Sequence, residues 1–222
     1  MLTWSFLPTG VKISHTNFVS EAYIPLTPLK ARFAEIYPDI QYRTLGHLHT
    51  AHIAGIQGYF VNPFFQGGPV YWMPKFDFQQ FLHYNKKYQI TSWFSVPPIF
   101  LLIAKSDVGD ALDSVVYAIS GAAPMGADLQ TSAQRKLGKG KAFLTQTWGL
   151  SETTGTITLL PFGMTDITGS VSGLVANVVA RMVDEAGADV SPGQPGEIIV
   201  QGPIVTKGYH DNAAANKESF ID

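Results

Sequence analysis

The chain has 222 residues, of which 45% are hydrophobic and 14% are charged, and its formal net charge is −2. This length suits one large domain or two small ones, and the apolar content is sufficient for a substantial core. The 15 basic and 17 acidic residues form no basic block, so nucleic acid is not an expected partner. The sequence contains no cysteine, which excludes disulfides, thiolate catalysis and cysteine-ligated zinc.

The sequence indicates a cytoplasmic protein without a membrane partner. Its N-terminus lacks the basic and apolar regions of a signal peptide. The longest apolar stretch, from Trp93 to Ala104, is interrupted by Pro97 and Pro98 and is too short to span a bilayer. The absence of cysteine fits a reducing compartment.

In chain order, the first predicted element is a helix that begins near Thr16 or Asn17, after capping residues. Pro25 and Pro28 are expected to end this helix or bend it. Further helices are predicted from apolar spacing and capping residues at Ile53 to Phe65, from a cap at Asp77 through Tyr88, at Ile99 to Lys105 and at Ala127 to Leu137. Short apolar runs predict strands at Gln41 to Leu48, Pro69 to Met73, Ile90 to Ser95, Ser114 to Ser120 and Phe143 to Trp148.

The alternation of strands and helices predicts an α/β fold over residues 1–168, with a layered, mostly parallel sheet and flanking helices. Residues 169–222 differ, because Val175 to Asp184, Gly196 to Gln201 and Val205 to Tyr209 are predicted as strands between turns rich in glycine and proline. We expect this second part to be a β-rich segment that forms part of a barrel.

Two loops after predicted strands are candidates for a ligand site. The first is SGAAPMG, from Ser120 to Gly126, whose small residues let the backbone approach a flat ligand. The second is QTWGLSETTG, from Gln146 to Gly155, where an aromatic ring, a hydroxyl and a carboxylate lie close together. Taken alone, the first loop is more simply a tight turn. The second is more simply the start of a helix capped by Ser151, with Glu152 near the positive end of the helix dipole.

Taken in order with PGQPGEIIVQGPIVTKGYHDN, from Pro192 to Asn212, these loops resemble the adenylate-forming (ANL) superfamily, including acyl-CoA synthetases of the 4-coumarate–CoA ligase type. By itself the Pro192 to Asn212 stretch predicts a β-hairpin. Four more segments are similar to the family: LPTGVKISHTN from Leu7, LHTAHIAGI from Leu48, MPKFD from Met73 and FSVPPIFLLIAKS from Phe94. The resemblance covers nearly the whole chain and implies the middle of an AMP-binding domain.

The resemblance implies roles for the positions that match. The catalytic residues would be His52, Ser151 and Glu152, with Glu152 as the ligand of Mg²⁺. The cofactor-binding positions would be Gly121, Ala122, Ala123, Trp148, Gly149 and Ser151. The substrate pocket would be lined by His52, Ala54, Gly58, Thr156 and Ile157. The implied cofactors are Mg-ATP and CoA if the ligase activity is kept, and otherwise none. The implied partner is a small carboxylic acid or a related biosynthetic intermediate.

The sequence also departs from the family pattern. Thr9 replaces the lysine of the Pro-Lys-Gly end of the phosphate loop, and Trp4 and Phe6 stand where hydroxyl residues and glycine are usual. The resemblance further implies that the large N-terminal subdomain, the ribose-binding aspartate and the lysine-bearing C-terminal domain are absent. Because each preorganised donor is worth about 3–4 kcal/mol in a transition state, we expect weak adenylation or none. A homo-oligomer is expected to cover the face that the truncation exposes.

The histidines allow a second interpretation. His47, His49 and His52 have the spacing HxHxxH, which is similar to the metal motif of metallo-β-lactamases, and residues at i and i+2 share a face of a strand. The aspartate of that motif is Ala51 here, and no histidine lies between His83 and His210. The simpler interpretation is one functional or packing histidine, His52, and two incidental ones.

Three functional hypotheses follow. The first is a truncated acyl- or aryl-CoA ligase-like protein that binds a small carboxylic acid. The second is an ATP-independent isomerase, cyclase or hydrolase that uses the old acyl pocket, with His52 as general acid or base. The third is a non-catalytic remnant or interaction module.

Overall fold

The structure, a computed structural model, describes residues 10–221. The predicted remnant of the phosphate loop in residues 1–9, with Trp4, Phe6 and Thr9, lies outside the described residues. The helices are α1 His15–Ile36, α2 Ile53–Ile56, α3 Asn62–Gln66, α4 Phe78–Tyr88, α5 Pro97–Lys105, α6 Ala127–Gln134 and α7 Ala213–Ser219. The strands are β1 Thr44–Gly46, β2 Val70–Trp72, β3 Ser92–Ser95, β4 Tyr117–Ser120, β5 Phe143–Gln146, β6 Gly149–Leu150, β7 Gly155–Thr156, β8 Val179–Val183 and β9 Glu197–Gln201.

The central sheet is parallel. Its strand order is β3-β4-β5, and α5 and α6 connect the successive strands. A second parallel pair, β1-β2, lies beside it, because the backbone N–H groups of Thr91 and Ser92 both donate to the carbonyl of Arg43, at 3.0 and 3.1 Å. The prediction of an α/β fold with a mostly parallel sheet and flanking helices is therefore confirmed.

Helices cover both faces of the central sheet. Alternate residues of a strand point to opposite faces, and on β4 Ala118 packs in the main core with Phe100 of α5 and Ala133 of α6. On the other face, Tyr117 packs with Phe33 of α1. The core is thus divided by the sheet, and α1 lies across the face that carries the candidate site.

Pro25 and Pro28 were expected to end helix α1 or to bend it. The helix continues through both residues, so they do not end it, and a bend stays a prediction. Its start is fixed by a capping box in which the side chains of Ser14 and Asn17 each accept from the other's backbone N–H, at 3.1 and 2.9 Å. Pro25 and Pro28 each remove one backbone donor, but α1 has a buried face along its length that includes Pro25 itself. Packing of that face therefore outweighs the local preference.

The predicted helix from Ile53 to Phe65 is present but is not uniformly α-helical. Between α2 and α3 the residues Gln57–Val61 form a π-helical turn. Such turns occur often at functional sites. The run ends at Gly67, whose φ of 77° is the left-handed conformation that glycine adopts without strain. The π turn places Gln57 and Gly58 at the cavity described below.

The C-terminal part contains an antiparallel pair, β8-β9, in which Val179 pairs with Gln201. Two expectations for this part were wrong. The predicted hairpin does not lie within residues 192–212, because its first strand is β8. Val205 to Tyr209 forms no strand, and its β contact is one bridge, between Tyr209 and Val11. The sequence did not predict α7, and the strands of residues 10–221 close no barrel. The boundary at residue 168 stays a prediction.

Within the part of the chain that the structure describes, no helix has both the length and the apolar character that a bilayer crossing requires. Helix α1 is the longest, with 22 residues.

Candidate functional site

A cavity of about 100 Å³ lies between α1, the helical run from Ile53 to Gln66, the ends of β4 and β5, and the β6-β7 pair. Residues just beyond the carboxyl ends of the parallel strands line it, among them Ala122 after β4 and Thr147 after β5. This is the edge at which α/β sheets usually bind ligands. The cavity is therefore the candidate functional site.

Four of the five predicted substrate-pocket residues line this cavity: His52, Ala54, Gly58 and Thr156. Ala54 and Gly58 leave space there, and a Cβ added at Gly58 would have no heavy atom within 4 Å. The fifth, Ile157, is fully buried and packs with Val175 and Ile204. It does not line the cavity, and its predicted contact with a substrate stays a prediction.

The cavity contains a buried carboxyl group that the sequence interpretation missed. Glu21 of α1 is 2% exposed, and its Oε1 accepts a hydrogen bond of 2.6 Å from the backbone N–H of Thr156. Its Oε2 is buried and has no hydrogen-bond partner among residues 10–221. Burial raises the pKa of Glu21 from 4.5 to about 8, against the lowering effect of the Thr156 hydrogen bonds. At neutral pH this carboxyl group is therefore mainly protonated.

A buried amide lies near this carboxyl group. Gln57 donates from Nε2 to the carbonyl of Thr154 at 2.8 Å, whereas its Oε1 is buried without a partner in the described chain. A Cβ added at Gly155 would lie 2.8 Å from Oε1 of Glu21 and 3.3 Å from Cγ of Gln57. Both side chains therefore approach the space above Gly155, which only a glycine leaves open.

His52 is exposed at the cavity and begins helix α2 as its N-cap. Its Nδ1 accepts a hydrogen bond of 3.1 Å from the backbone N–H of Ala54. Because an acceptor nitrogen carries no proton, the neutral ring has its proton on Nε2. The ring is thus held in one tautomer, and Nε2 is the nitrogen available for proton transfer.

The SGAAPMG loop follows β4 and turns sharply. Ala122 has a φ of 69° and lines the cavity. A Cβ added at Gly121 would lie 2.7 Å from the ring of Phe94 and 3.0 Å from Thr147, so only glycine fits without movement of its neighbours. Ala123 is exposed. The close approach predicted for this loop is thus present, and the predicted nucleotide contacts stay predictions.

The QTWGLSETTG segment forms the small antiparallel pair β6-β7 around a 3₁₀ turn, Ser151–Thr153. The simpler expectation of a helix capped by Ser151 was wrong, because the turn is one turn long and its N-cap is Leu150. Gly149 lines the cavity, and a Cβ there would lie 1.6 Å from the carbonyl oxygen of Gly155. Glycine is therefore required at position 149, because β6 and β7 pair closely there.

Ser151, Glu152 and Trp148 are half-buried and do not line the cavity. Glu152 accepts a hydrogen bond of 2.8 Å at Oε1 from the hydroxyl of Tyr209. The carbonyl of Trp148 accepts from the backbone N–H groups of Ile157 and Thr158, just after β7, at 2.8 and 3.2 Å. Carboxylate oxygens are ligands that Mg²⁺ accepts, so the chemistry of Glu152 fits the implied metal, and its role stays a prediction.

The alternative metal site at the histidines has no structural support. Both ring nitrogens of His47 are buried in hydrogen bonds, Nδ1 to the carbonyl of Leu45 at 2.8 Å and Nε2 to the hydroxyl of Ser95 at 3.0 Å. Burial lowers the pKa of His47 to about 4, so the ring is neutral. Residues 10–221 contain no cluster of three or more metal-binding side chains.

The sequence held one signal that would have found Glu21. It occupies the same helical face as Pro25 and Leu29, at spacings of i+4 and i+8, and both of these residues are buried. A carboxyl group on an apolar helix face needs a partner or a special environment. No such signal marks Gln57, because its burial depends on the π turn.

Residues 7–210 match the model of a protein family described as AMP-binding enzyme. An Emericella nidulans protein that bears the name of an acyl-coenzyme A synthetase is 44% identical over 215 residues, which cover 96% of this chain and 38% of that protein. The acyl-CoA synthetase ACTT5 of Alternaria alternata is 38% identical over 80% of this chain and 31% of its own length. The chain thus spans about two fifths or less of these curated relatives.

Solved structures have the same fold. The ATP-bound MatB of Rhodopseudomonas palustris is 26% identical, with a TM-score of 0.78 over 96% of this chain and 41% of that one. The o-succinylbenzoate CoA synthetase MenE of Bacillus subtilis, solved with an acyl-adenylate, is 22% identical, with a TM-score of 0.76, and supports the fold alone. The family match, over residues 7–210, includes every element that borders the cavity. The chain belongs to the AMP-binding enzyme family, with acyl-CoA synthetases among its relatives.

Proposed function

We propose that this chain binds a small carboxylic acid in the cavity between α1 and the β6-β7 pair, as an acyl- or aryl-CoA ligase-like protein with weak adenylation or none. The observation that carries the proposal is the position of His52, Ala54, Gly58 and Thr156 around one cavity. The names of the relatives support an acid as the ligand.

The nucleotide side of the proposal depends on the loop after β4 and on the β6 region. Gly121, Ala122, Ala123, Trp148, Gly149 and Ser151 would hold ATP, and Glu152 would hold Mg²⁺. When bound, Mg-ATP supplies the activating group for an acid, and CoA accepts the acyl group. Weak adenylation is expected because Thr9 replaces the lysine of the family's phosphate loop and removes a cation from the phosphates.

Two measurements test this proposal. Calorimetric titration of the chain with aryl and fatty acids, without nucleotide, should show saturable binding that Gly58→Phe abolishes by filling the cavity. Pyrophosphate release with Mg-ATP and the same acids should be slow or absent. The proposal fails if no acid binds, and fast pyrophosphate release would contradict its claim of weak adenylation.

A second candidate function is an ATP-independent isomerase, cyclase or hydrolase. It is favoured by two groups at one cavity, the tautomer-fixed ring of His52 and the carboxyl group of Glu21, whose pKa of about 8 suits general acid–base chemistry. If His52→Ala and Glu21→Gln both leave a detected activity unchanged, these assignments fail. If the protein folds but binds no ligand of any class, a non-catalytic module would be favoured instead. A homo-oligomer and a cytoplasmic location stay predictions.

A further inference from the structure

We infer that Tyr209 is a positioning residue for Glu152, and that helix α7 holds Tyr209 in place through Asn216. The inference deepens the proposed function and rests on it, because it concerns Glu152 as the ligand of Mg²⁺. It depends on a side-chain contact in which the hydroxyl of Tyr209 donates to Oε1 of Glu152 at 2.8 Å. Neither Tyr209 nor Asn216 is among the residues that the sequence predicted for the site.

The chain at residues 206–209 contacts Glu152 at two points. The backbone N–H of Thr206 donates to the carbonyl of Glu152 at 2.8 Å, and the hydroxyl of Tyr209 binds the carboxylate. Glu152 itself lies in the 3₁₀ turn after β6 and is half-buried. The first contact fixes the backbone of that turn, and the second selects one orientation of the glutamate side chain among its rotamers.

Asn216 of α7 binds both backbone groups of Tyr209. Its Oδ1 accepts from the N–H of Tyr209 at 2.6 Å, and its Nδ2 donates to the carbonyl of Tyr209 at 3.0 Å. A Cβ added at Gly208 would lie 2.5 Å from Oδ1 of Asn216, so the close approach of α7 needs a glycine there. The ring of Tyr209 packs edge-on against Phe220, with the centroids 5.6 Å apart. The phenol is therefore held through its backbone and through its ring.

The same chain segment pairs with the residues that resemble the end of the family's phosphate loop. The backbone N–H of Lys12 donates to the carbonyl of Gly208 at 2.8 Å, and the N–H of His210 donates to the carbonyl of Gly10 at 2.7 Å. Tyr209 thus connects the proposed cation ligand to the part of the chain next to the phosphate-loop position.

A hydrogen bond from a phenol suits a carboxylate that holds a cation. An ionised carboxylate has about four lone-pair sites, and the bond from Tyr209 uses one of them, at Oε1 of Glu152. A phenol carries no charge, so it orients the carboxylate without neutralising it. Mg²⁺ demands near-ideal octahedral geometry, and loss of a group that orients a metal ligand typically costs roughly 10–100-fold in metal affinity.

Calorimetric titrations of the full chain with Mg-ATP, and with ATP in the presence of EDTA, test the inference. The ratio of the two dissociation constants measures what the cation contributes to binding. Tyr209→Phe keeps the ring that packs on Phe220 and removes the hydroxyl alone. We expect this variant to bind Mg-ATP about tenfold more weakly and to bind metal-free ATP as the wild type does. A merely structural role of Tyr209 would weaken both forms equally.

Further variants assign the effect to Glu152 and to α7. Glu152→Gln should weaken Mg-ATP binding at least as much, and adding Tyr209→Phe to it should cause no further loss, because the positioned carboxylate is already gone. Asn216→Ala, or Asn216→Asp where the alanine variant does not fold, should reproduce the loss. Tyr84→Phe removes a hydroxyl from a tyrosine that packs on the main core. It is the control and should bind as the wild type does, and circular dichroism checks that each variant folds.

The outcomes separate the inference from the proposed function. Unchanged or tighter binding of Mg-ATP by Tyr209→Phe would overturn the inference, and so would an equal loss for ATP with and without Mg²⁺. Wild-type affinity in the Asn216 variants would overturn the role of α7. If the wild type binds no nucleotide, or binds Mg-ATP no more tightly than metal-free ATP, the assignment of Mg²⁺ to Glu152 fails together with the inference. Acid binding in the cavity, measured without nucleotide, is unaffected by that result.

Discussion

The carboxyl Oε1 of Glu21 accepts a hydrogen bond of 2.6 Å from the backbone N–H of Thr156, which lies 135 residues further along the chain. This contact joins the helix on one face of the central sheet to the small β6-β7 pair at its edge. Both partners line the cavity. The position of α1 and the shape of the site are therefore set by the same buried group.

The stability of the chain should depend on pH through Glu21. The pKa of Glu21 is about 8 in the folded chain, against 4.5 for an ordinary glutamate, so the folded state binds more protons between these values. The stabilising contribution of Glu21 is then fully present below its pKa in the unfolded chain, and it is lost as the pH rises through its pKa in the folded chain. Between pH 6.5 and 7.5 we expect a loss of about 1 kcal/mol per pH unit in urea titrations. Glu21→Gln should remove this slope, and an equal slope in the variant would contradict the assignment.

His47 should produce the opposite slope at lower pH. Its pKa is lowered from 6.5 to about 4 by burial, so the unfolded state binds more protons between these values and stability rises with pH across that range. In the wild type this rise is offset by Glu21. In Glu21→Gln it should appear alone, at about 1 kcal/mol per pH unit between pH 4.5 and 6. Adding His47→Asn to this variant should remove the rise in the free energy of unfolding with pH. If the rise remains, it belongs to other titratable groups.

Two glycines at the cavity should respond differently to the same substitution. Gly149→Ala would place a Cβ 1.6 Å from the carbonyl oxygen of Gly155, so the β6-β7 pair must separate, and we expect a loss of more than about 2 kcal/mol in the free energy of unfolding. Gly58→Ala is the matched control, because its Cβ would enter open space in a helical turn. It should be neutral or stabilising by up to about 1 kcal/mol. Equal effects in urea titrations would contradict this description of the loop.

Asp77 illustrates a local prediction that the structure confirms. Its side chain accepts from the backbone N–H of Gln80 at 2.8 Å and caps α4. Asp77→Ala should therefore cost about 1 kcal/mol in the free energy of unfolding, and Asp77→Asn, which keeps an acceptor, should cost less. A similar change at the exposed Asp39 should have a smaller effect than Asp77→Ala. Equal losses at the two positions would argue against the cap.

The sequence was most informative where local chemistry and packing agree. The cap at Asp77, the β3-α5-β4-α6-β5 order and the residues Ala54 and Gly58 at the cavity could all be read from spacing or resemblance. Pro25 and Pro28 misled, because burial of one helix face outweighs the loss of two backbone donors. The short antiparallel pair at Gly149 and Gly155 was missed, since it depends on pairing within a loop.

The buried polar groups of the site were the hardest features to predict. Glu21 reaches its partner across 135 residues of sequence, and no local pattern specifies that Thr156 will be there. Gln57 enters the cavity through a π turn, which changes the helical phase that spacing arguments assume. These two residues show why the walls of the site could be predicted from the sequence while its polar contacts could not.

A crystal structure of the chain with a bound aryl or fatty acid tests the central claim most directly. The account predicts that the acid occupies the cavity beside Gly58 and Thr156, between α1 and the β6-β7 pair. An acid bound elsewhere on the chain, under conditions in which titration shows saturation, would contradict it.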